Sequence, residues 1–186
     1  MSKRDDILKA TEGLLWDVGY EAMSPKKVLQ ASGAGQGSLY HHFESKEVLT
    51  LAAIDSIQRD MRNELESIFL ADKPPLEKLE AYILKPRVGL KGCRLGRLAQ
   101  EKSVIESPLR EVICHFFEDL NQHLITTILK AQADVVIKRH VDANDLAVLI
   151  LSVIQGGYTM ARITQDEKMM VAAQQGAWQL ISEALV

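Results

Sequence analysis

At 186 residues, 47% of them hydrophobic and 25% charged, the chain can bury one sizeable core or two small ones, and its apolar runs are too short and too broken by charge for a membrane segment. Two cysteines, Cys93 and Cys114, exclude a disulfide framework and have no zinc-type spacing, and the N-terminus MSKRDDILKA lacks an apolar export core, so a reducing cytoplasm is expected. The net charge is −3, and residues 1–50 carry six Lys/Arg against seven Asp/Glu, so bulk charge gives no support for a nucleic-acid partner.

Helical periodicity runs through almost the whole chain. Ile7, Leu8, Thr11, Leu14, Leu15 and Val18 follow the spacing of an amphipathic helix that Gly19 is placed to stop. Ser24-Pro25 reads as an N-cap followed by proline at the first helical position and opens a short helix to Ala31. Ser32-Gly33-Ala34 breaks it, Gly35 opens a second short helix over Gln36–His42, and Ser45 caps a long one to about Leu70. The prolines of Ala71–Pro75 end that helix. Helices are then expected over Leu76–Leu84, Cys93–Val104, Pro108 to Ala131, Asp142 to Ile163 and Lys168–Leu185. No strand, repeat or low-complexity tract is read, and the fold class is all-α.

Two short helices joined by three residues make a helix-turn-helix, with Gly33 where the tight turn needs it. In such a unit the second helix enters the major groove of DNA, so its outer face carries hydrogen-bonding groups. Leu39 and Phe43 supply the inward face with Val28 and Leu29. Gln36, Ser38, Tyr40, His41 and His42 remain for the outside. An ordinary helical hairpin has no use for so many polar aromatics and glycines.

The run MSPKKVLQASGAGQGSLYHHFESKEVL resembles the DNA-binding signature of the TetR family of bacterial transcriptional repressors. Leu39-Tyr40-His41-His42-Phe43 followed by Ser45-Lys46-Glu47 is its most specific part, and the first helix with Gly19-Tyr20 also matches. Ala34, Leu29 and Gly35 depart from the residues usual in the family. The resemblance implies a three-helix domain over residues 1–46 and a helical ligand-binding and dimerisation domain over 47–186. It implies phosphate contacts from Ser24, Lys26 and Lys27, with Lys26 also near a base edge. Gln36, Gly37 and Ser38 would start the recognition helix, where glutamine can read adenine. Tyr40 and His41 would meet phosphate, sugar or base edges, and Lys46 would grip phosphate. His42, beside Phe43, suits packing as well as contact and is left out of the site.

One helix reads few base pairs, so a homodimer on a near-palindromic duplex is expected. Leu146, Leu149, Val153, Gly157, Trp178 and Ile181, from two strongly apolar late helices, are its expected interface, with Gly156-Gly157 allowing close approach. The stretch GCRLGRLAQE, Gly92–Glu101, resembles a segment of one TetR branch that includes regulators responsive to electrophiles. Cys93 at a helix start, near Lys91 and Arg94, suits a reactive thiolate, and equally a small buried hydrophobe. Arg162, in an apolar helix, either has an anionic partner such as a carboxylate effector or the Cys93 thiolate, or lies at the surface near a helix C-terminus. Tyr82, Phe116, Tyr158 and Trp178 either line an effector pocket or are core. Cys114, beside His115, is expected in the core.

No cofactor, metal site or membrane partner is expected; the partners read are operator DNA, a small-molecule or electrophilic effector and a second copy. The effector is expected to act by moving the long Ser45–Leu70 helix and so the spacing of the two recognition helices. An enzyme is the reading from another class. The chain has no Glu-x-x-His pair, no HExxH, no phosphate-binding glycine loop and no nucleophile elbow. A helical interaction module without a DNA role is the other alternative.

Overall fold

A computed structural model describes residues 2–183 and 185. It is all-helical, with no strand among the described residues and one isolated antiparallel bridge between Ile137 and Leu185. The helices are α1 (Lys3–Asp17), α2 (Gly19–Ala22), α3 (Pro25–Ser32), α4 (Gln36–His42), α5 (Lys46–Phe69), α6 (Pro75–Leu84), α7 (Lys102–Ile105), α8 (Leu109–Ala133), α9 (Ala143–Thr164) and α10 (Lys168–Glu183), with a 3-10 turn at Leu98–Gln100.

Helix starts follow the capping chemistry of the sequence. The Ser2 and Asp5 side chains bond each other's backbone N–H at 3.2 and 3.0 Å, a reciprocal capping box. Ser24 Oγ accepts from Lys27 N at 3.3 Å with Pro25 at the first position of α3, and Ser45 Oγ accepts from Val48 N at 3.1 Å ahead of α5. Asp142 accepts from Asn144 and Asp145 N–H at 2.8 and 3.0 Å to open α9.

Two compact units divide the chain: residues 1–61 with 93–116, and residues 62–92 with 117–186. The boundary read from the sequence at residue 46 therefore falls inside the first unit, and the stretch after Gly92 packs with the N-terminal helices. Ile7, Leu15, Val28, Ile54, Leu95 and Leu98 centre the first core, each fully buried. Leu79, Ile83, Leu124, Ile128 and Ala147 do the same in the second. There α10 lies along α9 and against α6. The last carbonyls of α6, left without intrahelical donors before Pro86, are met by side chains. Gln174 Nε2 donates to Ile83 and Lys85 O at 2.6 and 2.7 Å, and Arg87 donates to Tyr82, Ile83 and Lys85 O.

Four local expectations change. Gly19 ends α1 and also begins the four-residue α2, its φ of +85° turning the chain between them. The helix expected over Cys93–Val104 is instead a run of turns, the 3-10 turn and α7, because Gly92 with φ +83° and Gly96 interrupt it. Cys114 is exposed on α8, not in the core, since Ile113, Phe116 and Leu120 take the inward face of that helix. The last helix is described to Glu183; Ala184, inside the span expected to reach Leu185, lies outside the described residues.

Candidate nucleic-acid interface

α3 and α4 are joined by Gly33-Ala34-Gly35. Gly33 sits in the left-handed region (φ 63°, ψ 17°), where its N–H bonds Leu29 O at 3.0 Å and ends α3. An L side chain there costs about 1–2 kcal/mol, which explains the glycine. Ser32 Oγ accepts from Ala34 N at 3.2 Å and holds the turn. Val28, Leu39 and Phe43 are buried and pack the two helices inward.

Gln36, Gly37, Tyr40 and His41 are exposed and Ser38 is half-buried, so the face expected to read DNA is open. Tyr40 keeps 50% of its surface exposed. In α3, Ser24 is occupied as the cap. Lys26 and Lys27 are exposed; Lys27 Nζ donates to Ala22 O at 2.8 Å, at the end of α2. Lys46 is half-buried, with its ammonium 4.3 Å from the Tyr20 ring centroid. Burial is the largest influence on Lys46 and pulls its pKa down, while Glu101 and Glu21 act the other way.

Three residues bear on this face beyond the expected site: His42 was read on the outer face but left out of the site, and Arg4 and Glu101 were not singled out for it. His42 is exposed, edge-on to His41 with ring centroids 5.0 Å apart, so α4 presents two imidazoles. Arg4 is exposed, its guanidinium 5.5 Å from the Phe43 ring centroid, which puts a cation beside the end of α4. A basic residue in the first turn of α1 was the only signal for it. Glu101 caps α2, and its partners are eighty residues away, beyond any sequence pattern.

The residues expected to sense an effector have distinct surroundings. Cys93 is 7% exposed, and no helix begins there; its Sγ accepts from Gly96 N at 3.3 Å. Arg94 is directed away from a role at the thiol, with Nη2 3.6 Å from Glu12, Nη1 3.9 Å from Asp60, and its guanidinium over the Trp16 ring. Phe116, on the first unit's portion of α8, is fully buried. In the second unit, Tyr158 is half-buried against Ile154, Ala161 and Met170. Arg162 is half-buried beside Gly92 and has no acidic partner among the described residues. Glu167 instead accepts from Gly89 and Leu90 N–H at 2.7 and 3.2 Å. No group of three or more His, Cys, Asp or Glu among the described residues is placed to hold a metal ion.

Of the six residues expected at a dimer interface, Leu146, Gly157 and Ile181 are buried in the second unit's own packing. A Cβ on Gly157 would stand 3.0 Å from Ala173 Cβ and from Met170 Sδ, so the glycine serves the contact of α9 with α10. Leu149 is exposed, and Val153 and Trp178 are half-buried. Around Leu149 the outward face of α9 also carries Val148, Met160 and Ile163, the last 71% exposed. α9 is long and apolar enough to cross a membrane by composition, yet its buried stripe packs on α10.

Known proteins resemble the chain along its length. Residues 7–53 match the model described as bacterial regulatory proteins, tetR family, and residues 78–176 match the C-terminal domain described as transcriptional regulator LmrA/YxaF-like. An uncharacterized HTH-type transcriptional regulator from the lacX 3′ region of Lactococcus lactis subsp. lactis is 31% identical over 170 residues, spanning 88% of this chain and 85% of that protein. The uncharacterized HTH-type transcriptional regulator YxaF of Bacillus subtilis is 27% identical over 171 residues, 88% of this chain and 87% of its own. A TetR transcriptional regulator from Chloroflexus aurantiacus superposes with a TM-score of 0.87 at 24% identity, covering 98% of this chain and 96% of that one.

Proposed function

The chain belongs to the TetR family of bacterial transcriptional regulators and is a DNA-binding regulator, not an enzyme, and we propose that it is a cytoplasmic homodimeric repressor that leaves a near-palindromic operator when a small molecule binds. The observation that carries the DNA-reading part is the face of α4. Gln36, Tyr40, His41 and His42 stand exposed on a short helix whose opposite side, Leu39 and Phe43, is buried. Gln36 and Ser38 at the start of α4 contact base edges, while Tyr40 and His41 contact phosphate or sugar. Ser24, Lys26, Lys27 and Lys46 approach phosphates, and the glycine at 37 keeps side-chain bulk off the backbone there.

Dimerisation is supported by the outward face of α9, where Val148, Leu149, Met160 and Ile163 are exposed together with Leu180 on α10. Apolar side chains gathered on one helical face of a water-soluble protein mark an interface. A second copy covers them by two-fold symmetry, and Val153 and Trp178 lie at its margin. Effector binding is supported by Arg162, a half-buried guanidinium with no acidic partner among the described residues, which suits an anionic ligand. Tyr158 contributes an apolar wall. In the electrophile-responsive form of this reading the Cys93 thiol is the reacting group and Phe116 packs in the same unit.

The test is binding to duplexes enriched from a random-sequence pool. Enrichment of a near-palindrome, with affinity that falls steeply with salt, supports the reading; no enrichment at low salt refutes it. Sedimentation of wild type and Leu149→Glu addresses the dimer: a dimer converted to monomer with loss of duplex binding is expected. Release by N-ethylmaleimide that Cys93→Ser abolishes assigns Cys93 as the sensor. Unaltered binding removes that role and leaves DNA binding in place.

A further inference from the structure

α2 has only four residues, too few to hold a helix by itself. Its first N–H groups have no intrahelical acceptor, and its N-cap, Val18, has no side chain to offer one. Glu101 supplies both acceptors from the GCRLGRLAQE segment: Oε1 accepts from Tyr20 N at 3.0 Å and Oε2 from Glu21 N at 2.6 Å. The approach is so close that a Cβ on Gly19 would stand 2.2 Å from Oε1. Glu21 returns the contact, its Oε1 accepting from Ser103 N and Oγ at 3.2 and 2.9 Å. Arg97 donates to Trp16 O and, at 2.8 Å, to Asp17 O, the last carbonyls of α1. One loop thus ties both sides of the α1–α2 corner.

That corner carries Tyr20, and the Tyr20 ring carries the Lys46 ammonium at 4.3 Å. We propose that Glu101 is a positioning residue for DNA binding: by capping α2 it fixes Tyr20, whose ring holds Lys46 where it meets a phosphate. Glu101 and Glu21 also bias Lys46 towards its charged form against the effect of burial. Lys46 makes no ion pair among the described residues, so its N–H donors stay available to an anion. The inference rests on the DNA-binding reading of Lys46.

The experiment compares wild type, Glu101→Ala, Glu101→Gln, Lys46→Ala and the Glu101→Ala/Lys46→Ala double variant on the duplex that wild type enriches from a random-sequence pool. Glu101→Ala is expected to bind about tenfold more weakly, with the slope of log K against log salt reduced by about 0.9, the loss of one phosphate contact. Added to Lys46→Ala it is expected to change neither quantity further. Glu101→Gln keeps one acceptor oxygen and falls between. Amide exchange at Tyr20 and Glu21 should quicken in Glu101→Ala. A purely structural cap would weaken binding equally in both backgrounds and leave the slope unchanged; that result, or unchanged exchange at the two amides, overturns the positioning role while leaving DNA binding established. A wild-type protein that enriches no duplex overturns the DNA-binding reading and this role with it.

Discussion

Replacing Gly19 by alanine tests the corner on which the DNA-binding helices rest. Two effects add. The residue has φ +85°, and an L side chain in left-handed backbone costs about 1–2 kcal/mol. The new Cβ would also meet Glu101 Oε1 at 2.2 Å. The carboxylate ends a flexible side chain and can swing aside, so the second cost is the loss of its bonds to Tyr20 and Glu21 N–H. Hydrogen bonds to charged groups contribute about 1.5–3 kcal/mol each when buried, and the partial exposure of these two discounts them to about 1 kcal/mol each, about 2 kcal/mol for the pair. Gly19→Ala is therefore expected to destabilise by about 3 kcal/mol. In a Glu101→Ala background only the backbone effect remains, so the same change should cost about 1 kcal/mol and the two substitutions should couple by about 2 kcal/mol. Urea unfolding of the four proteins, followed by helical circular dichroism, gives the cycle. Equal costs of Gly19→Ala in both backgrounds would refute the reasoning, because the close approach of Glu101 would then have no energetic consequence.

Three further outcomes follow from the same geometry. Ser24→Ala removes the bond that Lys27 N makes to the α3 cap and should cost about 1 kcal/mol, largely restored by Ser24→Asp, as read by thermal unfolding. Asp142 has its pKa lowered, first by the backbone bond from Asp145 and then by that from Asn144, so its folded value lies below the unfolded one. Its contribution is complete above the ordinary aspartate value, about 3.9, and is lost as pH falls through the folded value; Asp142→Asn should lose this acid-side dependence in unfolding midpoints measured between about pH 5 and 2. Cys114 is exposed and Cys93 is 7% exposed, so iodoacetamide should label Cys114 first in the native protein and both at similar rates in urea, by mass spectrometry. Equal native rates would contradict the burial of Cys93.

Features within a few residues of one another were legible in the sequence. Ser24-Pro25, the glycine at 33 and the caps at Ser45 and Asp142 each act on backbone three or four residues away, so residue identity carries the geometry. The alternation of Val28, Leu39 and Phe43 with polar positions likewise set the inner face of the helix-turn-helix. Where glycines crowd a helical pattern, as at Gly92 and Gly96, periodicity suggested a helix that the backbone does not form.

The residues of the late helices show the limit. Both sides of α9 are apolar, so composition could not say that Leu146 is buried and Gly157 meets α10 while Leu149 turns to solvent. Cys114, expected in the core, is exposed, and Cys93, open to either environment in the sequence, is buried, for the same reason: burial depends on which face another element covers. Sequence by itself determined the all-helical class, most helix starts and the outward polar face of α4, because these arise from local backbone chemistry and a 3.6-residue period. Tertiary structure alone decided that Glu101 and Arg97 tie down the α1–α2 corner and that Lys46 rests on Tyr20. Contacts across 26 to 81 residues depend on how helices pack, and packing has no local signature in the chain.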